Sequence, residues 1–144
     1  MTQVKQVSIF LENKKGRLLD ALKALAKAKI NIRALSVADT ADYGILRMIV
    51  SDVPRSKAAL EASGFTVKET EVIAIGVNDQ PGGLAKILEV LNNAGLNVEY
   101  VYAFAEKHEN DAIVVLRTEN IELGIKTLTN AKVKILEAKK VYSI

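Results

Sequence analysis

Apolar and polar positions follow a pattern along this 144-residue chain that occurs twice. Val4–Leu11 and Val72–Val77 are β-rich runs, and each leads through a glycine-containing loop into apolar residues at helical spacing. The first helical stripe carries Leu18, Leu22 and Leu25. The second carries Leu84, Ile87, Leu88 and Leu91 and stops at Gly95, a suitable residue just past a helix end. Ile32–Ala38 and Val98–Ala105 read as second strands, Asp39–Tyr43 and Lys107–Asp111 as polar hairpin segments, and Gly44–Ser51 and Ala112–Thr118 as third strands. Second helices start near Asp52 and Asn120, whose side chains suit N-caps, with Pro54 in the first turn of the earlier one. Ile121, Gly124, Ile125 and Leu128 mark the inward stripe of the later one, and Phe65–Lys68 and Val133–Leu136 close each copy as fourth strands.

Asn13-Lys14-Lys15-Gly16-Arg17-Leu18 aligns with Asp79-Gln80-Pro81-Gly82-Gly83-Leu84 at a shift of 66 residues. The same shift pairs Leu22 with Leu88, Leu25 with Leu91, Ala28 with Ala94 and Asn31 with Asn97. A shift of 67 then pairs Ile49 with Leu116 and Asp52 with Glu119, and a shift of 68 pairs Val53 with Ile121 and Leu60 with Leu128. The expected fold is therefore α+β: two tandem ferredoxin-like βαββαβ units with antiparallel sheets, residues 1–69 and 70–144. Units this small gain stability by packing on one another. Ile73-Ala74-Ile75, Ile113–Leu116 and Ile45–Val50 do not alternate between apolar and polar, which predicts sheets covered on both faces. The cover would come from the other copy or from a second chain, and the latter points to a homodimer.

Composition narrows the chemistry. The chain has no cysteine, so disulfides and thiolate metal sites are excluded and a reducing cytoplasm suits it. The start lacks the apolar stretch of a secretory signal, and no apolar run reaches the roughly 20 residues of a membrane span. The net charge of +3 divides unevenly. Residues 1–69 hold 12 Lys/Arg against 7 Asp/Glu (net +5), and residues 70–144 hold 8 against 10 (net −2). A basic half could attract an anion, a nucleic acid or an acidic partner, but its lysines are dispersed, as on a solvated surface.

Asn78–Leu84 is the segment with the most specific chemistry. Pro81 restricts itself and Gln80, and Gly82 and Gly83 allow positive φ and close approach of a ligand or another backbone. The loop ends at a helix N-terminus, whose free N–H groups and dipole favour a carboxylate. Asp79 could cap that helix or accept bonds from an ammonium group, and together these features suit a zwitterion. The same residues would also serve as a plain strand-to-helix turn with Asp79 as a local cap. The loop is neither a P-loop nor a dinucleotide fingerprint, because it lacks both glycine spacings.

Asp79-Gln80-Pro81-Gly82-Gly83-Leu84, followed by Ala94-Gly95-Leu96-Asn97-Val98, resembles the ACT domain family of amino-acid-sensing modules. The resemblance covers nearly the whole chain and implies a non-catalytic regulatory protein with no cofactor. It also implies ACT units paired through their sheets, with an amino acid bound at the interface between units. The implied ligand contacts are Asn78, Asp79, Gln80, Pro81, Gly82, Gly83 and Leu84 in the loop, and Asn97 and Val98 at the start of a neighbour's second strand. The matching positions of the first copy, a possible second site, are Asn13, Gly16, Leu18, Asn31 and Ile32. That copy has Asn13 and Lys15 where Asp and Pro would stand and carries Lys14, Lys15 and Arg17, so its loop is expected to be looser and the copy to be either a structural partner, the favoured reading, or a site for a more anionic ligand.

Other features point elsewhere. His108, the sole histidine, falls in a polar hairpin, and a metal site needs several converging ligands. No catalytic residues are expected. Tyr100, Tyr102 and Phe104 alternate and share a strand face. RNA-recognition motifs stack bases on aromatics of their first and third strands, and here those strands carry none, so packing explains the stripe better. Three functions follow: an amino-acid-sensing regulator, a ligand-independent regulatory subunit of a metabolic enzyme, and a nucleic-acid binder using the basic first copy. The first has the most residues behind it.

Overall fold

The computed structural model describes residues 3–39 and 42–144. The first two residues, and Thr40 and Ala41 of the first hairpin segment, lie outside the described residues. Two compact units result: Lys5–Thr70, and Glu71–Ile144 together with Gln3 and Val4.

In the first unit, β1 (Val4–Glu12), α1 (Arg17–Lys27), β2 (Ile32–Asp39), β3 (Tyr43–Val50) and α2 (Val53–Ala62) follow the expected order. β3 pairs antiparallel with both β1 and β2. Asp52 caps α2 by accepting the Arg55 N–H at 3.1 Å, and Pro54 stands at the helix start as expected. The chain then enters β4 (Val67–Asn78), and the Ser8 hydroxyl donates to the Lys68 carbonyl.

The second unit repeats this order. The later part of β4 leads to α3 (Gly83–Asn93), β5 (Val98–Ala103), β6 (Asp111–Thr118), α4 (Ile121–Asn130) and β7 (Lys134–Leu136), followed by a short helix, α5 (Ala138–Ser143), that the sequence pattern did not announce. β4 pairs antiparallel with β6 and β7, and β6 with β5, the strand arrangement of a ferredoxin-like unit. Asn120 caps α4 through the Leu123 N–H at 2.9 Å. Ile73, Ile75 and Val77 meet Val114 and Leu116 on one sheet face, and Ile87, Leu91, Leu96 and Leu128 close the core over them. Burying a side chain of this size contributes roughly 1.5–3 kcal/mol.

Three expectations change. Phe65–Lys68 and Val72–Val77 are not separate strands, because Val67–Asn78 is one continuous strand and Phe65 precedes it. The polar stretch between them, Glu69-Thr70-Glu71, holds neither glycine nor proline to break an extended chain.

The repeat also slips differently. Val7 faces Met48 and Ile73 faces Leu116, so Met48, not Ile49, corresponds to Leu116. The shift is already 68 throughout the third strands, and Asp52 matches Asn120 rather than Glu119. An intermediate shift of 67 would turn every side chain of the third strand to the wrong face. The whole two-residue difference therefore falls in the β5–β6 hairpin, which is longer than its β2–β3 counterpart.

The covered second face is present in the second unit but not throughout the first. Ala74, Ile113 and Val115 point away from the helices by register and are buried, whereas Phe10, on the corresponding face of β1, is 54% exposed.

Candidate functional site

Asn78 ends β4, and the chain turns at once. The Gln80 N–H donates to the Asn78 carbonyl at 2.9 Å, the Gly83 N–H to the Gln80 carbonyl at 3.0 Å, and the Lys86 N–H to the Gly82 carbonyl at 3.1 Å. Gly82 stands at the N-cap of α3 with φ of 83°. A Cβ at Gly82 would meet nothing within 4 Å, so its glycine is needed for conformation and its outer side is open. Gly83 differs: a Cβ there would lie 2.2 Å from the Asn78 carbonyl oxygen. The close backbone approach expected at the glycine pair is thus made, at Gly83, by the chain itself.

Asp79 does not cap α3, which has no side-chain cap at all. Its carboxylate instead pairs with Lys107 from the β5–β6 hairpin, and both side chains are about half exposed. α3 has no side-chain cap and no acidic residue in its first turn, and of its leading amides Gly83 donates to Gln80. Asn78, Asp79, Gln80, Pro81 and Gly82 are exposed, and Gly83 and Leu84 are half-buried.

The first copy's loop makes the same turn. The Lys14 N–H donates to the Glu12 carbonyl, Arg17 to Lys14 and Asp20 to Gly16, the same three bonds at the same spacing. Gly16 takes φ of 90°, as Gly82 takes 83°. The shape of the turn therefore forms without a proline. Beside this loop lies an open cleft lined by Leu11, Asn13, Lys14, Leu18, Val37 and Tyr43 among others. Val37 and Tyr43 were not expected there, because only strand register carries them alongside Leu11. Lys14 pairs with Glu12 at 2.8 Å and, by hydrogen bond and charge, holds the Glu12 carboxyl below the ordinary carboxylate range.

The strand-start residues lie elsewhere. Asn97 exchanges bonds with Glu119: its N–H reaches the Glu119 carboxylate at 3.4 Å, and its carbonyl accepts the Glu119 N–H at 3.3 Å. Val98 faces Thr118, whereas Asn78 faces Asp111, seven residues back along β6. At about 3.3 Å per residue the two groups stand roughly 23 Å apart within the unit. Asn31 and Ile32 occupy the matching place in the first unit, where Asn31 bonds Ser51 through both N–H and carbonyl. No single unit can bring loop and strand start to one ligand.

The β5–β6 hairpin carries a charge cluster. His108 and Asp111 close its turn by a pair of backbone bonds. Lys134 from β7 reaches Glu109 at 3.1 Å and Asp111 at 3.6 Å. His108 is partly exposed in that hairpin, and its Nε2 lies 3.8 Å from the Glu109 carboxylate. It borders an open cleft with Lys134, Ile135, Leu136, Glu137 and Lys140. Among the described residues, no three of His, Cys, Asp and Glu group as metal ligands. The Lys134 hydrogen bond, then its charge, lowers the Glu109 pKa, and Glu109 in turn raises that of Lys134. The pair therefore adds stability above the ordinary glutamate range and loses it as pH falls through the depressed Glu109 value; it also loses it above the raised Lys134 value. In an NMR titration the Glu109 carboxyl should have a midpoint below that of a free glutamate. Lys134→Met should return it towards the ordinary value.

Tyr100 and Tyr102 stack, with centroids 6.5 Å apart, on the face away from the helices, since they oppose Arg117 and Val115. Phe104 lies beyond the end of β5 and is buried. No helix of the described residues is long and apolar enough to cross a membrane.

Two tandem βαββαβ units, each with a left-handed glycine opening its first helix, define a class. Residues 1–144 match the family described as an ACT domain pair, and the chain belongs to that family. A crystal structure of a protein from Bacteroides thetaiotaomicron is 44% identical, with a TM-score of 0.92, covering 99% of this chain and 98% of that one. The ligand-free regulatory subunit of aspartate kinase from Thermus thermophilus is 17% identical, with a TM-score of 0.62, covering 90% and 93%. The corresponding subunit from Thermus flavus is 16% identical, with a TM-score of 0.58, covering 92% and 94%. The two kinase subunits share the fold. No curated protein matches.

Proposed function

We propose that this chain is a non-catalytic, cytoplasmic regulator whose second ACT unit, residues 70–144, binds a small amino acid or a close relative at Asn78–Leu84. The observation that carries this is the uncapped start of α3 behind an outward-open Gly82, with the Asp79 carboxylate beside it. Helix amides would hold the ligand carboxylate and Asp79 its ammonium group. Because Asn97 and Val98 lie at the far end of their own unit, the strand start completing the site would come from a second copy of the chain in a homodimer. Exposed Leu35, Val37 and Val101 on β2 and β5 are apolar surface that such pairing could bury. Residues 1–69 would then act chiefly as scaffold, and the ligand would work by favouring one arrangement of units over another, altering a surface offered to a partner enzyme.

A thermal-shift screen of the twenty amino acids, followed by calorimetry, tests this. One or a few should raise the melting temperature, since a ligand at a hundred times its Kd adds about 2.7 kcal/mol. Absence of both heat and shift with every amino acid would sink the proposal.

A further inference from the structure

We infer that Lys107 is an internal competitor for the site: in the ligand-free protein it occupies Asp79, and an incoming ligand's ammonium group displaces it. This rests on the proposed assignment of Asn78–Leu84 as an amino-acid site. The Lys107 ammonium already makes, on Asp79, the contact assigned to the ligand's amine.

The repeat provides an internal control. The first copy has Asn13 in place of Asp79, and neither lysine nor arginine occurs from Asp39 to Tyr43. Its loop keeps the same backbone bonds without the ion pair, so the turn does not need that pair to form. The second hairpin is longer by two residues, and Lys107 lies within the lengthened stretch. Both halves of the pair, and the extra chain that brings them together, occur in one copy only.

The hairpin is built so that one side can yield while the other holds. Its turn is closed by the His108–Asp111 bonds and tied to β7 through Lys134. Ala105, Glu106 and Lys107, on the approach to the turn, are exposed. Lys107 can therefore leave Asp79 without unpairing β6. An exposed ion pair shifts an equilibrium by no more than about fivefold, so a ligand supplying both ammonium and carboxylate outcompetes it. An acid lacking the amine leaves Lys107 in place and forgoes the Asp79 contact, so the latch weakens amino acids alone and narrows their margin over their deaminated counterparts.

The test is calorimetry of the full chain against the twenty amino acids, using wild type, Lys107→Met, Lys107→Arg, Asp79→Asn and the Asp79→Asn/Lys107→Met double variant. Lys107→Met should bind the same amino acid about two to five times more tightly, Lys107→Arg should match wild type, and Lys107→Met should change nothing in the Asp79→Asn background. Equal or weaker binding by Lys107→Met, or an equal gain in both backgrounds, overturns the competitor role and leaves the site assignment standing. Absence of binding by wild type and Lys107→Met alike overturns the site assignment and the competitor role with it.

Discussion

Gly83→Ala should destabilise the second unit by about 2–3 kcal/mol, near the top of the range for forced overpacking. The added methyl would start 2.2 Å from the Asn78 carbonyl oxygen, a contact no rotamer can relieve because both partners are backbone. The loop would have to open between the end of β4 and the first turn of α3, breaking the Gly83–Gln80 bond that fastens it. Gly82→Ala is the control. Its Cβ points into open space, and only the left-handed conformation resists it, at about 1 kcal/mol. Chemical denaturation of the two variants should therefore rank Gly83→Ala well below Gly82→Ala. The reverse order would mean that the turn's conformation matters more than its tightness.

Gly82→Asp should leave the protein folded and weaken amino-acid binding roughly a hundredfold. Aspartate tolerates the left-handed region better than most residues, and nothing in the chain obstructs its side chain. Its carboxylate would stand at the helix start where the ligand's own carboxylate belongs. Two like charges about 4 Å apart near a surface repel by up to about 4 kcal/mol. Calorimetry with the amino acid selected by the screen measures the loss, and a melting curve confirms the fold. Binding within threefold of wild type would place the ligand carboxylate somewhere other than the α3 amides.

How far the site was legible depends on the kind of signal. Gly16 and Gly82 stood out because a glycine between a strand and a helical stripe has few other uses, and both open helices in the left-handed conformation. Pro81 does not set the shape of the turn, because the first loop makes the same bonds without it. The repeat's shift was misread in the third strand because Ile45–Val50 is apolar nearly throughout and carries no phase to read. Pairing settled it, through Val7 with Met48 and Ile73 with Leu116. Asp79 and Lys107 stand 28 residues apart in the chain, and nothing local to either marks the other.

The amino-acid sequence by itself determined the two βαββαβ copies, the helix starts at Asp52 and Asn120, and the loop from Asn78 to Leu84. Each follows from periodicity, capping or backbone restriction, which act between residues a few positions apart. Only the tertiary structure decided that Val67–Asn78 is one strand, that Gly83 is required by the chain's own carbonyl, and that Asp79 faces Lys107 instead of capping its helix. It also decided that Asn97 and Val98 lie a sheet's length from the loop. These are outcomes of strand pairing and close approach between distant residues, and such contacts have no period along the chain.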